Sequence, residues 1–550
     1  MILFDAIFNQ ESLDKVAVLF EQQRISYLQL KEQTLGVVRV LSFLNVERGE
    51  RVALLLNDSP EFVASFIAIS SFGAIAVPIN MGLRLDEQRA ILNDCGAKFA
   101  IIEVIPGDAL LAGSPEKLPH LKDLIVVSRK DDKVELTTET QRAQRQHTEE
   151  ESEPFTISSF ATLIEQASLR HQTSLVTFSE PADNEPAFIF YTSGSTGEPK
   201  GAVHRQADIF YTNETYCREV LKLHPGDRVF SSSRLPFSYG FGNAFSFPLL
   251  NGCTTILCRE KPNAEVISRV FATYKPTIFF GVPVIYRLLL DHHRNVAPLD
   301  YSSLRLCISA GEALPRHLGK EVEKTFAVEV LDGIGSTEMF HMWMSNHDGE
   351  VRYGSSGKLI NGYEARLTDQ EGNPAPAGAE GNLWVKGASA ALGYWNKPEV
   401  TAATFVDGWV RTGDLYRQDA DGYWFHMGRS DDCFKSSGQW VSPVEVEGTL
   451  LKHEGVNRVA VVEDFDANGL PCACAFVIKA NRIDDDAQLE QQLRKLTREE
   501  LPRFKQPRRY VFVAELPYTA TGKIQRFKLR ERLKESPKSN VQCPMSATRS

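Results

Sequence analysis

A glycine-rich loop constrains the fold and the chemistry of this chain more than any other segment. Residues Tyr191–Gly201 read YTSGSTGEPKG and directly follow the apolar run Ala187–Phe190. Glycines and small hydroxylated residues let backbone N–H groups approach a polyphosphate, and Lys200 can add a positive charge. The segment therefore predicts a nucleotide phosphate site after a strand, with a plain surface turn between strands as the alternative.

The loop does not fit the P-loop of kinase-type nucleotide-binding proteins. That pattern has four residues between its glycines, and its Gly-Lys pair is followed by Ser or Thr. Here Pro199 precedes Lys200, and Gly201 follows it. The kinase-type interpretation is therefore excluded.

The size and charge of the chain limit the remaining classes. Its 550 residues exceed what a single core accommodates, which predicts a large multi-part body and a smaller domain. The formal net charge of -10, without a broad basic face, disfavours a nucleic-acid partner. The longest apolar run, Phe62–Asn80, is interrupted by Gly73 and Pro78. It therefore predicts a buried helix that leads into a strand, not a membrane span.

Cysteine usage and the first residues favour the cytoplasm. The nine cysteines are odd in number and show no paired metal-type spacing, which predicts reduced thiols. Met1–Lys15 has no basic region ahead of an apolar stretch, so we expect no signal peptide. Together these features predict a cytoplasmic protein.

Patterning along the chain predicts an α/β fold. Helical patterns alternate with short apolar runs over residues 1–105 and 185–353, and Gly-, Pro- and Asp-punctuated strands over 356–427 predict a compact, barrel-like β segment. The strand candidates of the second α/β region are Ala187–Tyr191, Arg228–Ser231, Thr254–Leu257, Thr277–Phe280 and Leu304–Ser309.

The same patterning predicts the domain boundaries. Residues 1–430 form a large N-terminal body of several subdomains, and 431–535 form a small α+β domain. The polar stretch Arg129–Glu153 predicts an exposed insertion, and 536–550 predicts a frayed tail.

Seven short motifs in sequence order carry a resemblance to a known family. Tyr191–Gly201 closely resembles the phosphate-loop signature of the acyl-adenylate-forming (AMP-binding) superfamily. The other signatures of that superfamily follow in order: Ser309–Leu314 (SAGEAL), Asp332–Glu338 (DGIGSTE), Arg411–Asp414 (RTGD), Gly428–Asp432 (GRSDD), Ser442–Glu447 (SPVEVE) and Thr519–Lys523 (TATGK). The resemblance implies that the chain uses ATP to activate a carboxylic acid as an acyl-adenylate.

The resemblance assigns the adenylation chemistry to three residues. Thr337 would offer a hydroxyl to a phosphate oxygen, and Glu338 would offer a carboxylate to Mg²⁺, which prefers hard oxygen ligands. Lys523, in a glycine-containing turn, would bridge the acid and the α-phosphate with its ammonium group. As alternatives, Ser336–Glu338 can begin a helix as N-cap residues, and a lone exposed lysine is usually solvated.

The resemblance also implies a nucleotide site. Gly311–Ala313 and Asp332 would line the adenine pocket. Asp414 would accept the ribose hydroxyls with help from Arg429, although without the resemblance Asp414 is simply a turn residue. The full implied set is Thr192, Ser193, Gly194, Ser195, Thr196, Gly197, Lys200, Gly311, Glu312, Ala313, Asp332, Gly333, Asp414 and Arg429.

Within the superfamily the chain is most similar to benzoate-CoA ligases and related aryl-CoA ligases. Phe237–Leu249 (FSYGFGNAFSFPL) carries part of this likeness, and its aromatic Tyr239 suits a flat, compact acid. His341 would border the acid pocket or simply pack, and Lys435 would approach the substrate carboxylate or remain a solvated lysine. The implied acid pocket comprises Ser238, Tyr239, Gly240, Ile334, Gly335, His341 and Lys435.

The second half-reaction is implied by the resemblance as well. The family places a hinge at Asp431, about which the small domain swings after adenylation to present a second face for thioester formation. The implied coenzyme A contacts are Ser437, Gly438 and Gln439. Here KSSGQW (Lys435–Trp440) departs from the more usual KVSGQY, so the wall of the coenzyme A tunnel or of the pocket differs.

The sequence therefore predicts an aryl acid–CoA ligase that uses ATP, Mg²⁺ and coenzyme A. One alternative passes the adenylate to a carrier-protein thiol or an amine. Another is a non-catalytic nucleotide-binding homologue, against which the intact Thr337, Glu338, Asp414 and Lys523 argue. The partners expected are the three small molecules, with no nucleic acid, and a homodimer is one open alternative for the oligomeric state.

Overall fold

The computed structural model describes residues 1–10, 12–103, 117–127, 156–170, 178–193, 199–437, 439–466, 468–480, 485–518 and 524–535. The predicted insertion at 129–153 and the predicted tail at 536–550 lie outside these ranges. The chain divides into two compact units. The first unit is Met1–Thr412 with Arg417–Phe425, and the second unit is Gly413–Tyr416 with the chain from His426 onward.

The strands, in chain order, are β1 (Val16–Phe20), β2 (Gln23–Ser26), β3 (Arg51–Leu55), β4 (Ile75–Pro78), β5 (Phe99–Glu103), β6 (Asp123–Val127), β7 (Thr156–Ser159), β8 (Phe188–Ser193), β9 (Pro199–His204), β10 (Arg228–Ser231), β11 (Thr254–Leu257), β12 (Ile278–Gly281), β13 (Leu306–Ser309), β14 (Val330–Gly335), β15 (Met342–Ser345), β16 (Lys358–Leu359), β17 (Glu364–Thr368), β18 (Glu380–Lys386), β19 (Gly393–Tyr394), β20 (Phe405–Val406), β21 (Trp409–Gln418), β22 (Trp424–Arg429), β23 (Phe434–Ser436), β24 (Gln439–Val441), β25 (Val456–Phe465), β26 (Pro471–Lys479) and β27 (Arg509–Phe512).

The α-helices, in chain order, are α1 (Leu3–Phe8), α2 (Tyr27–Phe43), α3 (Pro60–Phe72), α4 (Leu85–Cys95), α5 (Phe160–Arg170), α6 (Gln206–Thr212), α7 (Ser238–Phe241), α8 (Phe247–Leu250), α9 (Ala264–Tyr274), α10 (Pro283–Asn295), α11 (Arg316–Phe326), α12 (Pro398–Thr404), α13 (Pro443–Leu450), α14 (Asp486–Glu500) and α15 (Arg526–Glu535). Two π-helical segments, Asn213–Leu221 and Gly242–Ser246, extend α6 and α7, and short 3₁₀ helices span Thr337–Met339 and Arg503–Lys505.

One nine-stranded sheet of the first unit has the order β16-β15-β14-β13-β12-β10-β11-β1-β2. Strands β10 to β14 pair in parallel, and their apolar side chains are buried with those of α9, α10 and α11. Because the carboxyl ends of parallel strands meet at one edge, Gly281, Ser309 and Asp332 lie side by side, and β14 continues past them to Gly335. This edge is where a ligand is expected in an open α/β sheet.

An eight-stranded sheet has the order β19-β9-β8-β4-β3-β5-β6-β7. Nearly every side chain of α3 is buried, and α3 leads through Gly73, in the left-handed conformation, into β4. The prediction of a buried helix followed by a strand at Phe62–Asn80 is therefore confirmed. The β8–β9 hairpin carries the glycine-rich loop, with Thr192 opposite Lys200.

The predicted strand candidates are confirmed. β10 and β11 have the predicted bounds, whereas β8, β12 and β13 are shifted slightly at their ends. The predicted compact β segment is a five-stranded sheet with the order β17-β18-β21-β20 and β22 paired to β21. The division between the two units passes through the β21–β22 hairpin.

The second unit has its own core. Strands β25 and β26 pair antiparallel, β26 and β27 pair in parallel, and α13, α14 and α15 supply further buried side chains. The predicted α/β class, with a large N-terminal body and a small C-terminal α+β part, is confirmed. Among the helices of the described ranges, none has the length and apolar character needed to cross a membrane.

Candidate nucleotide and acid site

The glycine-rich loop is described only at its two ends. Thr192 is the second-last residue of β8 and Lys200 the second residue of β9. Both are half-buried, and the Lys200 ammonium lies 5.7 Å from the centroid of the Tyr394 ring. The predicted phosphate-binding residues Gly194, Ser195, Thr196 and Gly197, together with the side chain of Ser193, lie outside the described residues. The hairpin therefore fixes where the loop starts and ends.

The Thr337–Glu338 pair follows directly from the carboxyl end of β14. Ser336 is extended and its side chain makes no capping hydrogen bond, while Thr337–Met339 form a single 3₁₀ turn. One oxygen of Glu338 accepts a hydrogen bond from the Tyr394 hydroxyl at 2.7 Å. The pair therefore begins a helical turn, yet its side chains are not used as a cap.

The backbone immediately after this pair is strained. Phe340 has φ 66° and ψ -47°, and the His341 N–H donates to the Met339 carbonyl at 2.8 Å, which makes a tight γ-turn with positive φ. Phe340 is fully buried, and its ring lies against Phe188 and Phe190. Such strain costs on the order of 1–3 kcal/mol and persists only where the surrounding packing imposes it.

His341 is packed in the interior. Its ring lies 4.7 Å from Phe247 and 5.4 Å from Tyr216, centroid to centroid, and its Nε2 is 3.2 Å from Asn243 Oδ1. Burial lowers the pKa of His341 to about 3, so the ring is neutral. A Cβ atom added at Gly242 would lie 2.3 Å from the His341 ring, which explains the glycine. These contacts favour the packing alternative for His341. Its Nε2 also lies 3.4 Å from the carbonyl oxygen of Tyr239, a predicted acid-pocket residue.

The predicted acid-pocket residues of α7 contact the end of β12 and the turn after β14. Ser238 Oγ lies 3.4 Å from Thr337 Oγ1, and the Tyr239 hydroxyl donates to the carbonyl of Gly281 at 3.2 Å. Gly240 is held against the Arg234 carbonyl, where a Cβ would be 2.1 Å away.

On the β14 side, Ile334 and Gly335 are half-buried at the strand end. A Cβ on Gly335 would lie 2.5 Å from the carbonyl oxygen of His341. The structure thus brings α7 into contact with the end of β12 and with the turn after β14.

The predicted adenine residues divide into an exposed and a buried group. Gly311, Glu312 and Ala313 are exposed after β13, and Gly311 has φ 87°. Asp332 is 2% exposed; its Oδ2 accepts from the Leu314 N–H at 3.3 Å.

Asp332 Oδ1 has no hydrogen-bond partner among the described residues. Burial raises the pKa of Asp332 to about 8. The adjacent Gly333 is packed against Met342, whose Cε would be 2.2 Å from an added Cβ. A buried carboxyl with one oxygen left over fits a ligand that offers a hydrogen-bond donor, as the adenine amino group does.

Asp414 lies within β21 rather than in a turn, and it is buried. Its Oδ1 is 3.4 Å from Arg429 Nη1 and 3.4 Å from His426 Nε2. Asp431 is exposed, with Oδ1 3.6 Å from Arg429 Nε. No motif pointed to His426, because only the pairing of β22 with β21 brings it close to Asp414.

The remaining predicted residues of the second unit are exposed. Lys435, in β23, extends its ammonium over the Trp440 ring at 5.2 Å from the centroid, and Ser437 and Gln439 flank the hairpin turn. Gly438 and Lys523 lie outside the described residues. Lys435 is thus exposed with its ammonium over an aromatic ring, and its approach to a substrate carboxylate stays a prediction.

Three further residues hold the Thr337–Glu338 turn against the glycine-rich hairpin, directly or through a neighbour: His204, Asp208 and Tyr394. The sequence motifs did not single them out. Tyr394 lies on β19, which pairs with β9, and it holds Glu338. His204 ends β9, and its Nε2 lies 2.7 Å from the Thr337 carbonyl oxygen. The one available signal is their position beside the glycine-rich hairpin.

The residues fit a magnesium ion held mainly by phosphates. In the described part of the chain, no group of three or more His, Cys, Asp and Glu side chains converges on a metal position. Magnesium in nucleotide enzymes is commonly held by one or two carboxylates together with substrate phosphates and water. Glu338, beside Thr337, matches that donor set.

Comparisons with known proteins identify the family of the chain. The family model described as "AMP-binding enzyme" matches residues 4–395, and that described as "AMP-binding enzyme C-terminal domain" matches residues 445–523. Benzoate–CoA ligase of Thauera aromatica is 37% identical over 490 residues, which cover 88% of this chain and 86% of that protein. A p-hydroxybenzoic acid–AMP ligase of Mycobacterium tuberculosis is 30% identical over 520 residues, 93% of this chain and 65% of that protein.

A solved structure gives the same result for the fold. The anthranilate CoA ligase crystallised with anthranoyl-AMP has a TM-score of 0.85 and 37% sequence identity, and the match covers 97% of both chains. The resemblance inferred from the seven motifs is thereby confirmed: the chain belongs to the AMP-binding enzyme family.

Proposed function

We propose that this protein activates a small aromatic carboxylic acid with ATP and transfers the acyl group to coenzyme A. The products would be the aryl-CoA thioester, AMP and pyrophosphate. The observation that carries the proposal is the 3.4 Å separation of Ser238 Oγ and Thr337 Oγ1. This short distance brings α7, which carries predicted acid-pocket residues, next to the turn at Thr337, which carries the predicted phosphate contacts. A reaction between a carboxylate and an α-phosphate requires these two groups to be close.

The first half-reaction assigns one task to each group. Thr337 donates its hydroxyl to a phosphate oxygen, and Glu338, oriented by Tyr394, holds Mg²⁺, which neutralises phosphate charge when bound. Asp414 accepts from the ribose hydroxyls, with Arg429 beside it. Lys523 brings a positive charge to the two anions, which otherwise repel each other.

An aromatic acid is supported by the residues of the pocket and by the relatives. Tyr239 presents an aromatic ring beside Phe280, with centroids 6.2 Å apart, and a flat substrate packs well against such rings. The similar proteins are named for benzoate, anthranilate and p-hydroxybenzoic acid. We propose an acid of this class for the present chain.

The second half-reaction is proposed to use a swing of the small domain about Asp431. Ser437, Gly438 and Gln439 would then contact coenzyme A, with 1–430 and 431–535 as the two moving parts. Asp431 is exposed and lies just after the end of β22, and hinges are commonly a few residues at the ends of such elements.

The test is a pyrophosphate-release assay with ATP, Mg²⁺ and a panel of benzoate, hydroxybenzoates, aminobenzoates and short aliphatic acids, each with and without coenzyme A. We expect pyrophosphate with an aromatic acid and sustained AMP formation only with coenzyme A. AMP formation that is indifferent to coenzyme A would count against the ligase.

Transfer to a carrier protein or an amine is the second candidate. It is favoured by the likeness to a p-hydroxybenzoic acid–AMP ligase. Under this alternative the protein releases or retains the aryl-adenylate in the assay, and added coenzyme A gives no thioester by mass spectrometry.

A further inference from the structure

His204 has hydrogen-bond acceptors on both ring nitrogens. Its Nδ1 lies 2.8 Å from Asp208 Oδ2, and its Nε2 lies 2.7 Å from the backbone carbonyl oxygen of Thr337. A carbonyl oxygen accepts only, so Nε2 must carry a proton. If Asp208 is ionised, its oxygen also accepts only, so Nδ1 carries a proton too.

Three contacts favour the ionised form of Asp208. Its Oδ2 accepts from the Arg205 backbone N–H at 3.1 Å, and its Oδ1 accepts from Arg205 Nε at 2.9 Å. Arg205 Nη2 lies 2.7 Å from the same Oδ1. Hydrogen bonds and a guanidinium at this distance stabilise a carboxylate over its protonated form. The geometry is that of a buried imidazolium–carboxylate pair.

The pair is enclosed, which makes its pairing obligatory. The side chains of His204 and Asp208 are fully buried, and the His204 ring stacks on Phe188 with centroids 5.3 Å apart. Phe340 covers the ring from another side, at 5.5 Å. A charge in such surroundings is tolerated only when it is paired and hydrogen-bonded. Beside the His204 ring, the charged side chains of the pair's contacts are Asp208 and Arg205, both from its own segment.

Arg205, which pairs with Asp208, also holds the chain segment that contacts the Glu338 carbonyl. Arg205 Nη2 donates to the carbonyls of Ala388 and Ala390, at 2.7 and 3.1 Å. The next residue, Ala391, donates its N–H to the Glu338 carbonyl at 2.8 Å. The carbonyls of Thr337 and Glu338 are therefore both fixed, one by His204 directly and one through a segment that Arg205 holds.

We propose that His204 is a positioning residue for the phosphate site. Held as an imidazolium by Asp208, it donates from Nε2 to the Thr337 carbonyl and so fixes the turn that presents the Thr337 hydroxyl and the Glu338 carboxylate. The part of this proposal that concerns catalysis rests on the proposed function; the protonation state does not.

The protonation state is tested by NMR on protein labelled with ¹⁵N-histidine. An exposed histidine is neutral at pH ~8, with one bare ring nitrogen. We expect both His204 nitrogens to be protonated there, with the signals assigned by their loss in His204→Gln. In Asp208→Asn the amide can donate to Nδ1, so one nitrogen should lose its proton. A parent spectrum in which every histidine has one bare nitrogen at this pH overturns the proposal.

The positioning role is tested with two matched amides. His204→Gln can place an N–H near the position of Nε2, whereas His204→Asn is one methylene shorter and reaches Asp208 but not Thr337. We expect the acid-dependent exchange of pyrophosphate into ATP to fall about 10- to 100-fold in His204→Asn, as for lost outer partners of active-site groups, and to be largely recovered in His204→Gln. Equal rates for the two variants, or parent rates in both, overturn the positioning role.

A control removes a histidine from a comparable pair elsewhere. His224 lies 3.7 Å from Asp227, but its side chain is 60% exposed, so His224→Asn should exchange like the parent. If the parent itself shows no acid-dependent exchange, the proposed function fails while the NMR test of the His204 pair still stands.

Discussion

At the residue scale, the buried carboxyl of Asp332 makes a pH prediction. Its pKa in the folded chain is raised to about 8 by burial, whereas an unfolded aspartate has a value of about 3.9. Between these values the folded chain binds more protons, so this group lowers the free energy of unfolding as the pH rises. Asp332→Asn removes that dependence. We therefore expect its Tm to rise relative to the parent between pH ~5 and pH ~8.

Thermal unfolding at the two pH values checks this, with Asp348→Asn as an exposed control that should leave the difference unchanged. If the Tm of Asp332→Asn minus the Tm of the parent stays constant or falls as the pH rises, the assignment of a neutral buried carboxyl is contradicted.

The sequence alone was informative about residue types and less so about their surroundings. The motif DGIGSTE predicted Thr337 and Glu338 as a pair, and the structure places them at the end of β14. The sequence did not indicate His204 or His426, because their partners Thr337 and Asp414 come from other segments of the chain, and Asp208 acts only through His204. His341 and Lys435 were ambiguous for the same reason: burial and stacking depend on tertiary packing, which no local pattern encodes.

At the element scale, α15 is anchored by a buried ion pair. Arg526 donates to both oxygens of Glu447 at 2.9 Å, and Arg530 donates to Asp432 at 2.9 Å. Removing one partner of a buried pair costs about 3–5 kcal/mol, because the other charge is left uncompensated. We expect Arg526→Met to lower the stability of the second unit by this amount.

Urea unfolding, followed by a probe in the second unit, measures this loss. Arg532→Met, on the exposed side of the same helix, is the matched control and should be nearly neutral. Adding Glu447→Gln to Arg526→Met should restore part of the loss. An Arg526→Met protein as stable as the control would show that the pair does not anchor α15.

Elements with a strong local sequence pattern were predictable. Strands β10 (RVFS) and β11 (TTIL) were found at their predicted bounds, since each is rich in strand-forming residues and follows a glycine-containing turn. The π-helical segments Asn213–Leu221 and Gly242–Ser246 were not, because a single extra residue per turn leaves the apolar pattern almost unchanged. They carry Tyr216 and Asn243, which enclose His341.

At the scale of the whole molecule, the proposed function requires the small domain to move between the two half-reactions. If Asp431 is the hinge, Asp431→Pro restricts its backbone and should slow thioester formation by ~10-fold or more while adenylate formation is largely kept. Rapid-quench measurement of the two half-reactions separates the effects. Asp431→Ala, which leaves the backbone free, should slow thioester formation less. Equal slowing of both half-reactions by Asp431→Pro would argue against a hinge at this position.

The division into units was only partly readable from the sequence. The change of pattern after Gly428 predicted a small domain, because a new run of short strands and helices begins there. The assignment of Gly413–Tyr416 to the second unit could not be foreseen, since it follows from the pairing of β21 with β22 and not from composition.

The central claim is that this chain forms an aryl-adenylate with Lys523 as the adenylation catalyst. Its most direct test is the exchange of labelled pyrophosphate into ATP in the presence of benzoate or a hydroxylated or aminated relative, for the parent and for Lys523→Ala. We expect exchange that depends on an aromatic acid and whose rate falls by ~100-fold or more in Lys523→Ala. Exchange by Lys523→Ala as fast as by the parent would contradict it.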